Sequence, residues 1–273
     1  MTIAEQQEGV GPLLREWRRR RNLSQLDLAL RADTSARHVS FVETGRATPS
    51  RSLLLRLADH LDVPERHRNT LLIAAGYAPM FEESAFDAAR MSAVRAMVDR
   101  LFSAHEPYPA LALDVDENII TMNRGALLLA EELPAHLRRP PANLMRLALH
   151  PDGLAGRVVN LGEFREHMLA RLRRQVIHSG KQSLRSLYEE VSGYPGLDGA
   201  HGLENEHEYP ATGGAVILLH LRALGTELRL FSAITTFGAA TDITVAEMSL
   251  ETFHPADEHT ADAFHEAARQ AVR

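Results

Sequence analysis

Residues 23–63 read LSQLDLALRADTSARHVSFVETGRATPSRSLLLRLADHLDV, and their punctuation cuts them into three short helices. Ser24 is an N-cap residue with Asp27 three positions on, the spacing of a capping box, so a helix is expected over Ser24–Ala32. Asp33-Thr34 then makes a tight turn, because Asp is one of the few side chains that tolerate a left-handed backbone. Ser35 caps a second helix running through Thr44, and Gly45 stands where a helix ends in the left-handed region. Pro49-Ser50 opens a third helix, in which Leu53, Leu54, Leu57, Ala58 and Leu61 fall on one side at helical spacing.

Upstream, Pro12 suits the first turn of a preceding helix, which carries Leu14 and Trp17 and then Arg18, Arg19, Arg20 and Arg21. Downstream, Asp62 and Pro64 announce a last helix that buries Leu71, Leu72 and Ala75. The result is an all-α, five-helix domain over residues 11–78. Its 23–63 stretch resembles the repressor-type (Xre-like) helix-turn-helix family along its whole length. The resemblance is carried by Ser24-Gln25, Leu28-Ala29, the Asp33 turn, Ser35, Val39, Val42-Glu43, Gly45, Pro49-Ser50 and Leu57-Ala58. The family usually has Gly at the turn where this chain has Asp33.

In such domains the second helix of the motif enters the major groove of duplex DNA and its first residues meet base edges. The resemblance therefore assigns Ser35, Ala36, Arg37, His38, Ser40 and Phe41 to the outward side of the reading helix, with Val39 and Val42 in the core. Arg37 is the best base reader, since a guanidinium pairs bidentately with guanine. Gln25 takes the position the family uses for phosphate or base contact, and Thr44 and Arg46 lie where phosphates pass. The expected partner is a double-stranded DNA operator.

The charge is distributed to match. Residues 12–75 hold twelve arginines against seven acidic residues, +5, whereas residues 76–273 hold eighteen basic against twenty-seven acidic residues, −9, within a net charge of −6. The chain has no cysteine, which removes disulfides, thiolate metal sites and a cysteine nucleophile together. Its apolar runs are short, Ala215–Leu219 ending at His220, so no membrane span is expected. MTIAEQQEGVG lacks the basic and apolar regions of a signal peptide, and a cytoplasmic location is expected.

Gly76-Tyr77-Ala78-Pro79 reads as a linker or hinge. A helical connector is expected within 79–105, from Ser84 to His105, with Phe86, Met91, Val94, Met97, Val98 and Leu101 at helical spacing. Residues 106–273 form the second domain. Ala110–Asp114 reads as a strand, Asp116-Glu117-Asn118 as a turn, Ile119–Asn123 as its paired strand and Arg124–Leu133 as a helix, the order in which a PAS-like domain begins. Asn143 to Val191 is helical, with Phe164, Met168, Leu169, Leu172, Val176 and Ile177 as an apolar stripe and Arg165, Arg171, Arg173 and Arg174 placed off it. Ser192–Gly214 is a long loop. Ala215–Leu224 and Glu227–Phe237 are strands joined at Gly225-Thr226, a pair suited to a type II′ hairpin. Ile243–Leu250 reads as a further strand, and His259 to Ala271 as the last helix. An antiparallel sheet flanked by helices makes this an α+β domain.

This order resembles the ligand-binding domain of MmyB-like transcription regulators, carried by Gly76-Tyr77-Ala78-Pro79, the Ala110–Asn123 hairpin and Asn143-Leu144-Met145-Arg146-Leu147. Ser192–Gly214 and Thr252–His259 depart from the family's pattern. The resemblance implies a small, largely apolar ligand, a fatty acid being the suggested kind. Asn123 is the candidate ligand-binding residue. An Asn beside a strand end also caps the next helix, and that reading is favoured.

Most of the fourteen histidines fall beyond residue 130, with His201, Glu204, Glu206 and His207 clustered in one loop and His254, Asp257, Glu258 and His259 in another. Neither cluster has the spacing of a metal motif, and no metal or other cofactor is expected. Haem on a histidine is an alternative, for which His220 on its strand is more simply structural. No G-x-S-x-G elbow, P-loop or G-x-G-x-x-G is present, and the chain is read as a non-enzyme. Two alternatives stay open: an enzyme domain fused to a DNA-binding module, and a constitutive regulator whose second domain only dimerises. A homodimer held through residues 84–273 is expected, seated on the connector face of Phe86, Met91, Val94 and Met97 and on the exposed side of the 215–237 hairpin.

Overall fold

The computed structural model describes residues 9–195, 218–238 and 240–271. The chain divides into two compact units, residues 1–83 with 241–243 and residues 84–240 with 244–273.

The first unit holds five helices: α1 Val10–Arg20, α2 Gln25–Arg31, α3 Ala36–Glu43, α4 Arg51–His60 and α5 Glu65–Ala74. Each begins or ends on chemistry visible in the chain. The Ser24 hydroxyl accepts from Asp27 N and the Asp27 carboxylate accepts from Ser24 N, a complete capping box. Ser35 and Ser50 cap α3 and α4 by accepting from His38 N and Leu53 N. The turn residue Asp33 has φ 49° and Gly45 φ 73°, both left-handed. The core is Leu14, Trp17, Leu28, Val39, Val42, Leu54, Leu57, Leu61 and Leu72. Gly11 lets α1 cross the end of α3 closely, since a Cβ there would stand 2.5 Å from the Val42 carbonyl oxygen. The 76–81 segment is tied down rather than hinged: Tyr77 donates its hydroxyl to Pro49 O, and Asn69 Oδ1 accepts from Met80 N and Phe81 N.

The second unit is built on a five-stranded sheet in the order β2-β1-β5-β4-β3, every neighbouring pair antiparallel. Its strands are β1 Ala110–Leu113, β2 Ile119–Met122, β3 Leu219–Ala223, β4 Thr226–Thr236 and β5 Ser249–Pro255. Its helices are α6 Ser92–His105, α7 Arg124–Ala130, α8 Leu144–Leu149, α9 Leu161–Ser179, α10 Gln182–Ser192, the single turn α11 Ile243–Ala246 and α12 Glu258–Gln270. β1 is buried on both faces, because side chains alternate along a strand. Ala110 and Ala112 pack with Val98 and Phe102 of α6, while Leu111 and Leu113 pack with Ala126 of α7 and Leu144 of α8. The main core lies among α8, α9, α10, α12 and the β3–β4 hairpin, centred on Met145, Leu172, Val191, Leu221 and Phe264.

Several expectations are corrected. The connector is helical only from the 3-10 turn Ala89–Met91 onward. Much of its apolar face packs within the unit: Met91 is buried, with Phe86 and Val94 packed beside it, while Leu101 is exposed. The β3–β4 hairpin turns one residue early. Leu224 and Gly225 are both left-handed between the paired Ala223 and Thr226, which is a type I′ turn and not the II′ turn expected at Gly225-Thr226. Residues 243–246 are helical, Ile243 and Val245 being buried from a helical turn despite their β-branching, and the strand starts at Ser249. It then continues through Thr252–His254. On α9, Ile177 is exposed, whereas Arg165 and Arg171, placed off the apolar stripe from the sequence, are buried. The 196–214 part of the expected long loop, the first three residues of the Ala215–Leu224 strand, and His201, Glu204, Glu206 and His207 lie outside the described residues.

Candidate nucleic-acid interface and ligand cavity

Helix α3 buries Val39 and Val42 and turns its other residues outward. Ser35, Arg37, Thr44 and Arg46 are exposed, while Ala36, His38, Ser40, Phe41 and Gln25 are half-buried. Two of the outward cations share one ring: the Arg37 guanidinium lies 5.2 Å and that of Arg46 5.9 Å from the centre of Phe41. Contacts of this kind at exposed sites contribute about 0.5–1 kcal/mol each, enough to bias both side chains toward one ridge. Thr44 folds its hydroxyl back onto Ser40 O at 2.7 Å.

Beneath this ridge lies a network that local sequence patterns did not show. Glu43, at the end of α3, is buried and accepts two hydrogen bonds from Arg18 of α1, at 2.6 and 2.8 Å. Arg18 also donates to Leu23 O, and Gln25 donates its amide to Glu43 at 2.8 Å. One carboxylate thus fastens α1, the start of α2 and the end of α3. Burial opposes the charge on Glu43, but hydrogen bonds from Arg18 and Gln25 prevail and hold its carboxyl below the usual range. Gln25 therefore spends its amide donor inside the unit. A weak signal was present: Arg18 stands four residues after Leu14, on the buried side of α1, though it is hidden in a run of arginines.

The second unit contains an apolar pocket, partly open to the surface, with about 70 Å³ of free volume. Strands β1, β2, β3, β4 and β5 supply Leu111, Met122, Leu219, Leu230 and Phe253, and α7 and α8 supply Ala126, Leu144 and Leu147. A second pocket, of about 50 Å³, shares Leu144, Leu154, Leu219 and Phe253 with the first and adds His167, Arg171, Ser232 and Glu251. Asn123 lines neither. Its Oδ1 accepts from Ala110 N at 2.8 Å and Ala126 N at 3.0 Å, and its amide donates to Tyr108 O, so it caps α7 and pins β1. This is the capping role favoured for it from the sequence.

At the polar end Arg171 bridges two buried carboxylates. It donates to Glu251 at 2.7 Å and to both oxygens of Glu117, at 3.2 and 3.0 Å. Glu117 comes from the β1–β2 turn, where φ is 63°, and its carboxyl is further held by Gln175. Burial pushes the Glu117 carboxyl above its usual range against the pull of Arg171. Burial, with Arg171 and Arg174 nearby, lowers the His167 imidazole and favours its neutral form.

The other histidines are dispersed. His220 meets Glu227 at 3.0 Å, His259 meets the Thr226 hydroxyl, Asp257 caps α12, and His254 stacks on Phe231. His136, His150 and Asp152 do converge, with one candidate ligand atom each within 4.8 Å of the others, but Nδ1 of His150 already accepts from Asp152 N. No described helix is long and apolar enough to cross a membrane.

A helix-turn-helix unit followed in the chain by a sheet-and-helix unit with an apolar pocket defines the class: a DNA-binding transcription regulator with a ligand-binding domain. Residues 10–71 match a helix-turn-helix domain family, and residues 94–267, more than half of the chain, match the MmyB-like transcription regulator ligand binding domain. The chain belongs to the MmyB-like transcription regulator family. No curated protein matches the sequence. A solved structure described as an RNA-binding light-oxygen-voltage receptor aligns over 94% of this chain at 12% identity and a TM-score of 0.24; the chain spans 63% of that receptor's length.

Proposed function

We propose that this regulator reads its operator through the Arg37–Phe41–Arg46 ridge of α3 and is switched by a small apolar molecule held between the sheet and α7–α8. Ser35, Ala36, His38 and Ser40 stand beside that ridge, with Gln25 and Thr44 at its margins. The observation that carries the effector half is the pocket between the sheet and α7–α8, whose lining is apolar throughout, a character suited to a small apolar ligand. A fatty-acid-like body, chain-bearing and flexible, suits such a lining. The effector controls DNA binding only through a difference in its affinity for the competent and incompetent states. No step of this reading needs catalysis, and it places the protein in the cytoplasm with its operator.

Two half-sites call for two heads, so the acting species in this reading is a homodimer. Support for a seam narrows to two exposed apolar residues, one on the connector helix and one on the hairpin. Leu101 of α6 and Ile234 of β4 are each about half exposed.

Native mass spectrometry of the freshly purified full chain tests both halves of the assembly. The expected spectrum is a dimer carrying an extra mass that organic extraction removes. A monomer that binds DNA one to one removes the dimer from the reading, and repeated recovery of an unliganded chain from lipid-containing medium removes the effector.

Arg37→Ala is expected to relax preference at one base position per half-site, at a cost of roughly 1–3 kcal/mol. Arg46→Ala is expected to weaken all sequences about equally. Binding-site selection with both variants checks this. If both lose affinity with preference unchanged, α3 does not read bases through Arg37.

A further inference from the structure

The outward side of α3 carries one large apolar group among neighbours that are polar or small. Phe41 is half-buried there, one turn beyond Arg37. Among the described residues, Ala36 and Ala47 pack against the core of the first unit and Phe41 does not. Its ring lies instead between two cations, the guanidiniums of Arg37 at 5.2 Å and Arg46 at 5.9 Å. The major groove offers donors and acceptors at every base edge and a single apolar group, the 5-methyl of thymine. Pressed on the other edges, a phenyl ring strips water from polar atoms and returns no hydrogen bond, which is costly. Pressed on the methyl, it removes apolar surface from water on both sides.

We infer that Phe41 is a specificity-determining residue: it reads the 5-methyl group of a pyrimidine, thymine in unmodified DNA, within two base pairs of the guanine paired by Arg37. The spacing follows from the ring lying 5.2 Å from the Arg37 guanidinium, less than two base-pair steps of about 3.4 Å each. Each half-site is thus expected to hold guanine and thymine side by side or one pair apart. Cytosine methylated at C5 presents the same methyl, so it is favoured over plain cytosine at that position, and the contact is sensitive to methylation of the operator. The inference rests on α3 being the reading helix with Arg37 at a guanine. It adds a base identity that Arg37 does not determine.

The test uses the full chain and the duplex it selects from a random library. Selection is expected to return half-sites with guanine and thymine within two base pairs. Each thymine of that duplex is then replaced in turn by deoxyuridine, which removes the methyl and leaves every hydrogen-bonding atom in place. At one position the affinity is expected to fall about fourfold per half-site, the loss of one buried methyl-sized contact. Cytosine and 5-methylcytosine at the same position are expected to differ by a similar factor, the methylated duplex binding tighter. Phe41→Ala is expected to bind the thymine and deoxyuridine duplexes equally while keeping its dependence on salt. Phe41→Gln serves the same comparison should Phe41→Ala fail to fold. Selected sites without thymine near the guanine, or equal binding of thymine and deoxyuridine by the wild-type protein, overturn the inference while leaving Arg37 as a reader. An equal methyl effect in wild type and variant also overturns it, since the effect then belongs to the shape of the duplex. Selection that returns no preferred sequence removes α3 as the reading helix, and the inference with it.

Discussion

Arg171→Met lowers the stability of the second unit by about 3–5 kcal/mol, the range found when one partner of a buried ion pair is removed and the other is left behind. Here the cost is compounded, because two buried carboxylates lose their shared cation at once. The readout has to be specific to that unit. The only tryptophan, Trp17, is buried in the first unit, so its fluorescence follows the wrong transition, and near-ultraviolet tyrosine signals serve instead. The sign of the pH dependence separates charge from packing. Glu117 already has a carboxyl pKa raised by burial, and losing Arg171 raises it further. A carboxyl whose folded pKa is raised contributes stability below that pKa and loses it as pH rises through it. The deficit of Arg171→Met is therefore expected to shrink as pH falls from neutral toward the ordinary carboxylate range. Replacing the whole triad with apolar residues, Glu117→Leu and Glu251→Leu added to Arg171→Met, is expected to recover most of the loss. A deficit that is independent of pH, with no recovery in the triple variant, assigns the effect to lost packing around the arginine stem.

The second large effect concerns DNA affinity and salt. A head that neutralises about four phosphates has a slope near −3.6 in log affinity against log salt. Raising salt from roughly 50 to 200 mM then weakens each head about a hundredfold, and a two-headed complex on the order of ten-thousandfold. The +5 charge of residues 12–75 and the −9 of residues 76–273 place this response in the first unit. Arg46→Ala is expected to flatten the slope by about one, as one fewer counterion is released. Fluorescence anisotropy with a labelled duplex across that salt range measures it. Affinity that stays flat removes phosphate neutralisation as the main source of binding.

The parts of this molecule that were legible in its sequence are those set by neighbours along the chain. Ser24 with Asp27, Asp33 in its turn, and Gly45 after α3 each act within four or five residues, and each stands where its chemistry placed it. The hairpin of β1 and β2 and the cap at Asn123 are equally local. What was misread depends on distant partners. Arg18 is turned inward by Glu43, 25 positions away, and Arg171 by residues 54 and 80 positions away. An arginine in a helix and a glutamate in a turn read as solvated until both ends of the pair are in view. The cavity is harder still, because its lining comes from five strands and several helices, none of which carries a pattern of its own. At Ile243 and Val245, β-branched residues pointed to a strand, and burial from a helical turn prevailed.

The four-residue strand β1 has a consequence for how an occupant is felt. Leu111 borders the cavity, while Ala110 and Ala112, its chain neighbours, rest against the α6 side. The wall between the two compartments is thus a single peptide thick, and it is stocked with alanine on the side away from the cavity. Such a wall behaves as a diaphragm. A molecule that presses on Leu111 displaces the same backbone that supports α6, so news of its arrival crosses the sheet directly and does not have to travel around its rim.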